Sequence, residues 1–152
     1  MERGLILKKG TIVDSTIISA PSSTKNKEKK RNPDAHQVKK GNTWYFGYKA
    51  HIGVDRGSGL VHTVEATAAN VHDATETSKL LTGDEDEVYG DSSYLGAEKR
   101  GDAIIRNKAG RKIKYRINRR PSQVKKLSKS GQYAAKKAEH AKSSVRAKVA
   151  AR

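Results

Sequence analysis

Two aspartates stand where strand-forming sequence could present them for chemistry. Asp14 lies within the β-branched run 11–18, and Asp91 follows the short apolar run 88–90. Carboxylates that converge from neighbouring strands supply the hard oxygen ligands that Mg²⁺ prefers, and paired ions of this kind catalyse phosphoryl transfer. The pattern points to metal-dependent chemistry on a nucleic acid. Aspartates at strand ends are common, so spacing alone also leaves a structural role open.

Alternating and periodic patterns place both aspartates in an α/β fold. Residues 10–18 alternate as a strand, and Asp14 falls on a face where a buried carboxylate needs compensation, such as a metal ion. Polar residues 21–43 show no periodic apolar face and predict a long loop. The other predicted elements are a hairpin of strands 44–54 and 60–67 around the turn 55–59, a helix from Asn70 to Leu81, a strand 87–90, an alternating segment 111–117, a helix start at Pro121 and a helical face that ends at Val149. This order predicts a mixed sheet flanked by helices.

The first hairpin strand has two faces of different character. Trp44, Phe46 and Tyr48 share one face, which we assign to the core rather than to stacking on bases. Lys49 and His51 lie on the other face. They are either part of a solvated strand face or close enough to approach a scissile phosphate, and the sequence does not separate these alternatives.

Composition limits the architecture to one domain with a small core. The chain has 152 residues, 34% hydrophobic and 32% charged, and no cysteine, which excludes thiolate metal sites. We expect a single domain over 1–152, with a sheet core in 5–100 and a basic segment and helix in 101–152. No apolar run approaches the ~18 residues of a membrane span, and the first residues do not resemble a signal peptide. We therefore expect a cytoplasmic protein with no membrane partner.

The net charge of +16 arises entirely after residue 98, where Asp102 and Glu139 are the only acids. Such asymmetry predicts a polyanionic partner, most simply DNA. A solvated or disordered basic tail is the alternative. The expected non-sequence-specific phosphate contacts are Lys108, Arg111, Lys112, Lys114, Arg116, Arg119 and Arg120. Arg146 is a further expected DNA contact.

Several motifs together carry a resemblance to a known family. They are Gly10-Thr11-Ile12-Val13-Asp14-Ser15-Thr16-Ile17-Ile18, Ala20-Pro21-Ser22-Ser23-Thr24-Lys25-Asn26-Lys27, Trp44-Tyr45-Phe46-Gly47-Tyr48-Lys49-Ala50-His51-Ile52-Gly53-Val54-Asp55, Ala68-Ala69-Asn70-Val71-His72-Asp73 and Gly90-Asp91-Ser92-Ser93-Tyr94-Leu95-Gly96-Ala97-Glu98-Lys99-Arg100. In this order they resemble bacterial insertion-sequence transposases of the DDE type. The resemblance extends from about residue 5 to residue 149.

The resemblance implies a ribonuclease-H-like fold and a site of Asp, Asp and Glu that holds two Mg²⁺ ions, with Mn²⁺ as a substitute. It also implies cleavage of DNA at element ends and joining of the 3′ hydroxyl to target DNA. By position, Asp14 matches the first acid and Asp91 the second. Asp55 is the rival for the first acid, but it lies in a hairpin turn, where local hydrogen bonding is the simpler interpretation.

The third acid is where this sequence departs from the family. A helix of the family carries an arginine followed, after three residues, by the glutamate. Arg146 matches that arginine, which leaves Ala150 at the glutamate position. Glu139 would lie about 16 Å earlier along a helix, too far to substitute.

We therefore expect a truncated domain, incomplete at the C-terminus, that binds metal weakly and has little or no transposition activity. The alternative is a non-catalytic, basic DNA-binding remnant that could interfere with a full-length transposase, or associate with it or with a second copy. A chain that fails to fold stably is a third interpretation.

Overall fold

The computed structural model describes residues 4–150, and side chains as far as Val149. Residues 1–3, 151 and 152 lie outside the described residues. They belong to the expected domain 1–152, and the last two belong to the end where truncation is expected. Six strands form one sheet: β1 (Gly10–Ser19), β2 (His36–Lys40), β3 (Thr43–Asp55), β4 (Val61–Ala68), β5 (Glu87–Gly90) and β6 (Lys114–Ile117). Within the described residues no helix is long and apolar enough to cross a bilayer.

The sheet is mixed. β1 pairs antiparallel with β3, and β3 pairs antiparallel with both β2 and β4. On its other edge β1 pairs in parallel with β5, and β5 pairs in parallel with β6. With helices packed against the sheet, this arrangement confirms the predicted α/β class and is compatible with the ribonuclease-H-like fold.

Three α-helices accompany the sheet: α1 (Asp73–Glu76), α2 (Pro121–Lys125) and α3 (Lys129–Ala150). α1 continues as a 3₁₀ turn over Thr77–Leu80. The predicted cap at Asn70 is two residues too early, because the Nδ1 atom of His72 accepts a hydrogen bond from the backbone N–H of Ala74 and so caps α1.

Apolar side chains that alternate along β1 supply a core to each side of the sheet. Val13 belongs to a cluster on one side, with Leu80, Leu81, Val88, Tyr94, Ile113 and Ile117. Ile12 packs with Val54 and Tyr89 on the other side, where Val145 and Val149 of α3 cover them. Asp14 shares this second face of β1, so α3 packs on the face of the sheet that carries the aspartate.

The predicted core position of the β3 aromatic residues is wrong for Trp44, which is 63% exposed. Phe46 and Tyr48 are only half-buried. α3 covers the face near Ile12 and Val54 and does not reach the opposite end of β3. Alternation places side chains on a face, but it does not determine how far a packed helix extends over that face.

The predicted loop over 21–43 also contains a strand that the sequence pattern does not reveal. β2 pairs with the first part of β3, from His36 opposite Gly47 to Lys40 opposite Thr43. Its sequence has a single large apolar residue, Val38, so backbone pairing rather than side-chain burial defines the strand.

Candidate active site

Asp14 and Asp91 line one cleft of about 220 Å³ at the edge of the sheet. The register of β1 and β5 explains why they meet. Ile12 lies opposite Tyr89 in this parallel pair, and each aspartate follows two residues later on its own chain segment. Because neighbouring strands lie about 4.8 Å apart, this register directs the two carboxylates to a common place.

The carboxylate of Asp14 lies in an electrostatically unfavourable environment. Its Oδ1 atom accepts a hydrogen bond of 2.9 Å from the backbone N–H of Ser15. Burial raises the pKa of Asp14, and the negative charge of Asp91 raises it further, while Arg146 and Lys40 act in the opposite direction. A positive ion between the aspartates would relieve this unfavourable interaction.

The two carboxylate oxygens of Asp91 have different partners. Oδ1 accepts hydrogen bonds from the backbone N–H and the hydroxyl of Ser93, and so caps the short 3₁₀ turn Ser92–Tyr94. Oδ2 lies 3.9 Å from a guanidinium nitrogen of Arg146 on α3. The turn therefore fixes the orientation of the carboxylate, and Arg146 offsets part of its charge.

A third carboxylate, Asp73 at the start of α1, also lines the cleft. Its Oδ1 atom lies 2.9 Å from the ammonium of Lys49. Burial tends to raise the pKa of Asp73, but the hydrogen bond and charge of Lys49, with hydroxyls of Ser93 and Ser15, bring it below its usual value. The sequence pattern predicts Asp73 only as part of a helix start. Its place in a motif of the resemblance was the available signal.

Lys49 and His51 do not form the solvated strand face that was one of the two predicted alternatives. Lys49 is buried, and its ammonium also donates a 2.8 Å hydrogen bond to the carbonyl of Val71. His51 is fully buried, with Nε2 2.8 Å from the hydroxyl of Thr67. Burial lowers the pKa of His51, with Asp73 opposing. Lys49 thus forms part of the cleft wall, whereas His51 offers no surface to a phosphate.

Asp55 stands apart from the cleft. It is 1% exposed, and it accepts hydrogen bonds from the backbone N–H of Lys8 and from the N–H and hydroxyl of Ser58. Burial tends to raise its pKa, but these hydrogen bonds bring the pKa of Asp55 below its usual value. The structure therefore places Asp55 in local turn bonding, away from Asp14 and Asp91.

α3 is held against the end of β6 by a polar network around Asn118. Its side-chain amide donates to Glu139, and its Oδ1 atom accepts a 3.0 Å hydrogen bond from Arg146. Glu139 also accepts from the backbone N–H of Arg119 and from Lys142, and it is not among the residues that line the cleft. Its carboxylate holds α3 in place. The residue one helical turn after Arg146 is Ala150, which has no carboxylate.

The donors that the cleft offers to a metal are carboxylate oxygens, which suit hard divalent ions such as Mg²⁺ and Mn²⁺. Among residues 4–150, no group of three or more His, Cys, Asp or Glu side chains could hold a metal ion. Two aspartate carboxylates nevertheless match the usual mode of Mg²⁺, which binds through one or two carboxylates together with substrate phosphates and water. Asp14 and Asp91 therefore fit one ion that a nucleic-acid phosphate would help to complete.

Of the predicted phosphate-contacting residues, only Arg146 and Lys49 adjoin the cleft. The others are exposed elsewhere: Lys108, Arg111, Lys112, Lys114, Arg116, Arg119 and Arg120. Three of them, Arg111, Lys112 and Lys114, line a separate cleft of about 460 Å³ with Lys9, Arg56, Asp86 and Glu87. It lies where β5 and β6 begin, whereas Asp91 follows the end of β5, so the two clefts occupy opposite ends of the parallel strands.

Comparison with known proteins identifies the family. The family described as the transposase DDE domain matches residues 6–150, nearly the whole chain. No solved structure matches. Domains of this family generally use divalent metal ions, and their general partner is DNA. The chain belongs to the family of transposases with a DDE domain.

Proposed function

We propose that this chain is the catalytic domain of an insertion-sequence transposase whose metal site lacks its third acid. The reaction of a complete site would be metal-dependent cleavage of element ends and strand transfer to target DNA. The observation that carries the proposal is the shared cleft of Asp14 and Asp91, which come from adjacent parallel strands. Because Ala150 stands at the glutamate position implied by the resemblance, we infer that this chain is catalytically defective.

Asp14 and Asp91 would hold Mg²⁺, or Mn²⁺ in its place. The bound ion would stabilise charge on the scissile phosphate and lower the pKa of an attacking hydroxyl. The protein's own contribution is orientation: the Ser15 N–H and the Ser93 N–H and hydroxyl hold one oxygen of each carboxylate. Arg146 is placed to contact a phosphate beside Asp91.

Both remaining candidate acids already have partners. Asp73 lies in the cleft, but the ammonium of Lys49 takes its Oδ1 atom. Glu139 is engaged by Asn118, the backbone of Arg119 and Lys142. With two acids, metal affinity and the electrostatic stabilisation of the transition state would both fall.

A second candidate function is DNA binding without catalysis. It is favoured by cations that have no carboxylate partner among the described residues, notably Lys112, Lys114, Arg119 and Arg120. Such a surface would bind DNA phosphates without sequence preference and with strong salt dependence. The chain could then interfere with a full-length transposase, by occupying DNA or by forming mixed oligomers with it.

Nicking of supercoiled plasmid in Mg²⁺ and in Mn²⁺ tests the proposal. The chain itself should bind plasmid without nicking it, and Ala150→Glu should introduce nicking that a further Asp91→Asn change removes. The matched control is Ala141→Glu, which adds the same charge to the opposite side of the same helix and should stay inactive. Nicking by the unchanged chain that Asp14→Asn and Asp91→Asn both abolish would overturn the inferred defect. Absence of nicking in Ala150→Glu would overturn the role assigned to position 150.

A further inference from the structure

The exposed end of β3 presents aromatic rings that the fold does not bury. The register sets Asp14 opposite Ile52 and Ile18 opposite Tyr48, which puts these residues on one face of the sheet. Strand alternation continues this face beyond Tyr48 to Phe46 and Trp44. Trp44 is 63% exposed, and Ile18, beside Tyr48, is 51% exposed. The face that carries Asp14 thus runs from the core under α3 to an uncovered aromatic end.

Each of the two outer rings has a cation over it. The ammonium of Lys39 lies 5.9 Å from the ring centroid of Trp44, and the guanidinium of Arg31 lies 5.5 Å from that of Phe46. Lys39 is the direct cross-strand neighbour of Trp44 on β2. Rings two residues apart along a strand are about 7 Å from each other, so two successive bases of an extended strand can be accommodated. We call Trp44 and Phe46, with Lys39 and Arg31, the aromatic platform.

The charge around the platform indicates an anionic ligand. Residues 21–43, which supply both cations, contain seven lysines and arginines against Glu28 and Asp34. A purely apolar protein partner would leave these charges unmatched, whereas a nucleic-acid strand brings one phosphate for each base. Aromatic rings flanked by cations are the usual means by which proteins bind unpaired bases without reading their sequence.

The platform also adjoins the cleft of the two aspartates. Lys39 lies over Trp44 and at the same time lines the cleft, together with Lys40 and Val38. A strand whose phosphate enters the cleft can therefore continue along β2 towards Trp44.

We propose that the aromatic platform binds unpaired bases of single-stranded DNA next to the cleft. The inference rests on the proposed function only in taking DNA as the ligand, and it needs neither metal nor catalysis. It gives the β2–β3 hairpin a role as the surface that receives a strand separated from its complement. The cations at the far end of the sheet would contact duplex phosphates independently.

Binding measured in EDTA separates this inference from the catalytic proposal. Trp44 is the only tryptophan in the chain, so its fluorescence reports directly on the platform. Oligothymidylate should quench this fluorescence, and Trp44→Leu should weaken oligothymidylate binding by at least about fivefold while duplex affinity stays unchanged. Trp44→Phe should retain most of the affinity, because a ring remains.

Tyr133→Leu is the matched control, since it removes an aromatic side chain that is 77% exposed on α3, and it should change neither affinity. Equal losses of oligothymidylate and duplex binding in Trp44→Leu would overturn the proposal, as would absence of quenching in the unchanged chain. If Trp44→Leu instead changes the sedimentation of the protein and leaves oligothymidylate binding intact, the platform is a contact between copies of the chain and the proposal fails. Failure of nicking in the separate plasmid assay would leave these results untouched.

Discussion

Removing one partner of the ion pair between Lys49 and Asp73 should strongly destabilise the fold, although both residues lie beside the cleft. Their side chains are 11% and 13% exposed, and Nζ lies 2.9 Å from Oδ1. The same ammonium donates to the carbonyl of Val71, so it joins β3 to the segment that leads into α1. Replacing Lys49 with methionine keeps the length of the side chain but leaves the carboxylate of Asp73 without its cation.

Removing one partner of a buried ion pair typically costs about 3–5 kcal/mol, because the remaining charge is uncompensated. The hydroxyls of Ser15 and Ser93 also help to hold the pKa of Asp73 low, so we expect the loss in Lys49→Met to fall near the lower limit, at about 3 kcal/mol. Adding Asp73→Asn should recover about 2 kcal/mol, since no unpaired charge then remains.

The pH dependence provides a second test with a definite sign. The pKa of Asp73 is below its usual value in the folded chain. The contribution of Asp73 to the free energy of unfolding is therefore present above the ordinary pKa of an aspartate. It is lost as pH falls through the lower pKa that Asp73 has in the folded state. In Lys49→Met the penalty disappears once Asp73 is protonated, so the difference in stability between the two proteins should narrow below about pH 4.

Urea denaturation followed by circular dichroism measures these effects in the unchanged chain, both single variants and the double variant. Lys108→Met is the control, because Lys108 and Asp84 are 68% and 30% exposed and Asp84 keeps Lys8 at 3.8 Å, so no measurable change is expected. A loss below about 1 kcal/mol in Lys49→Met, or the same loss in the double variant, would refute the reasoning.

Two further perturbations follow from the structure. Asp14→Asn should raise the midpoint of thermal unfolding at neutral pH. Burial raises the pKa of Asp14, and an acid with a raised folded-state pKa destabilises the fold as pH increases through that pKa. A lowered midpoint would show that the ionised carboxylate stabilises the fold. Gly47→Ala should lower the free energy of unfolding, measured by urea denaturation, by at least about 2 kcal/mol. Gly47 has a φ of +156°, and an added Cβ atom would lie 2.1 Å from the carbonyl oxygen of Ile18. The control is Gly101→Ala, where open space surrounds the added carbon, and an equally small loss in both variants would contradict the prediction.

The site illustrates how a parallel strand pair brings distant residues together. Asp14 and Asp91 are far apart in sequence, but alternation predicted the strand that carries Asp14, and a short apolar run predicted the strand before Asp91. The parallel register, with Ile12 opposite Tyr89, then leads both to one cleft. The resemblance to the family named the same two residues. Pattern and resemblance therefore indicate the same two residues.

Other features of the site could not be read from the sequence. The pairing of Lys49 with Asp73 joins a strand to a helix start, and no local periodicity connects them. Periodicity gave His51 the same strand face as Lys49, but it could not show that the histidine is completely buried, with its ring near Thr67 of β4 and Asp73 of α1.

The sequence by itself determined the strands around Asp14 and Asp91, the mixed α/β class, the family and the concentration of positive charge after residue 98, because alternation, motifs and composition are local properties of the chain. Only the tertiary structure decided which aspartates share a cleft, that Asp73 is neutralised by Lys49, that β2 exists and that Trp44 is uncovered. Each of these depends on the pairing register or on how far α3 reaches across the sheet, and both are set by contacts between segments that are distant in sequence.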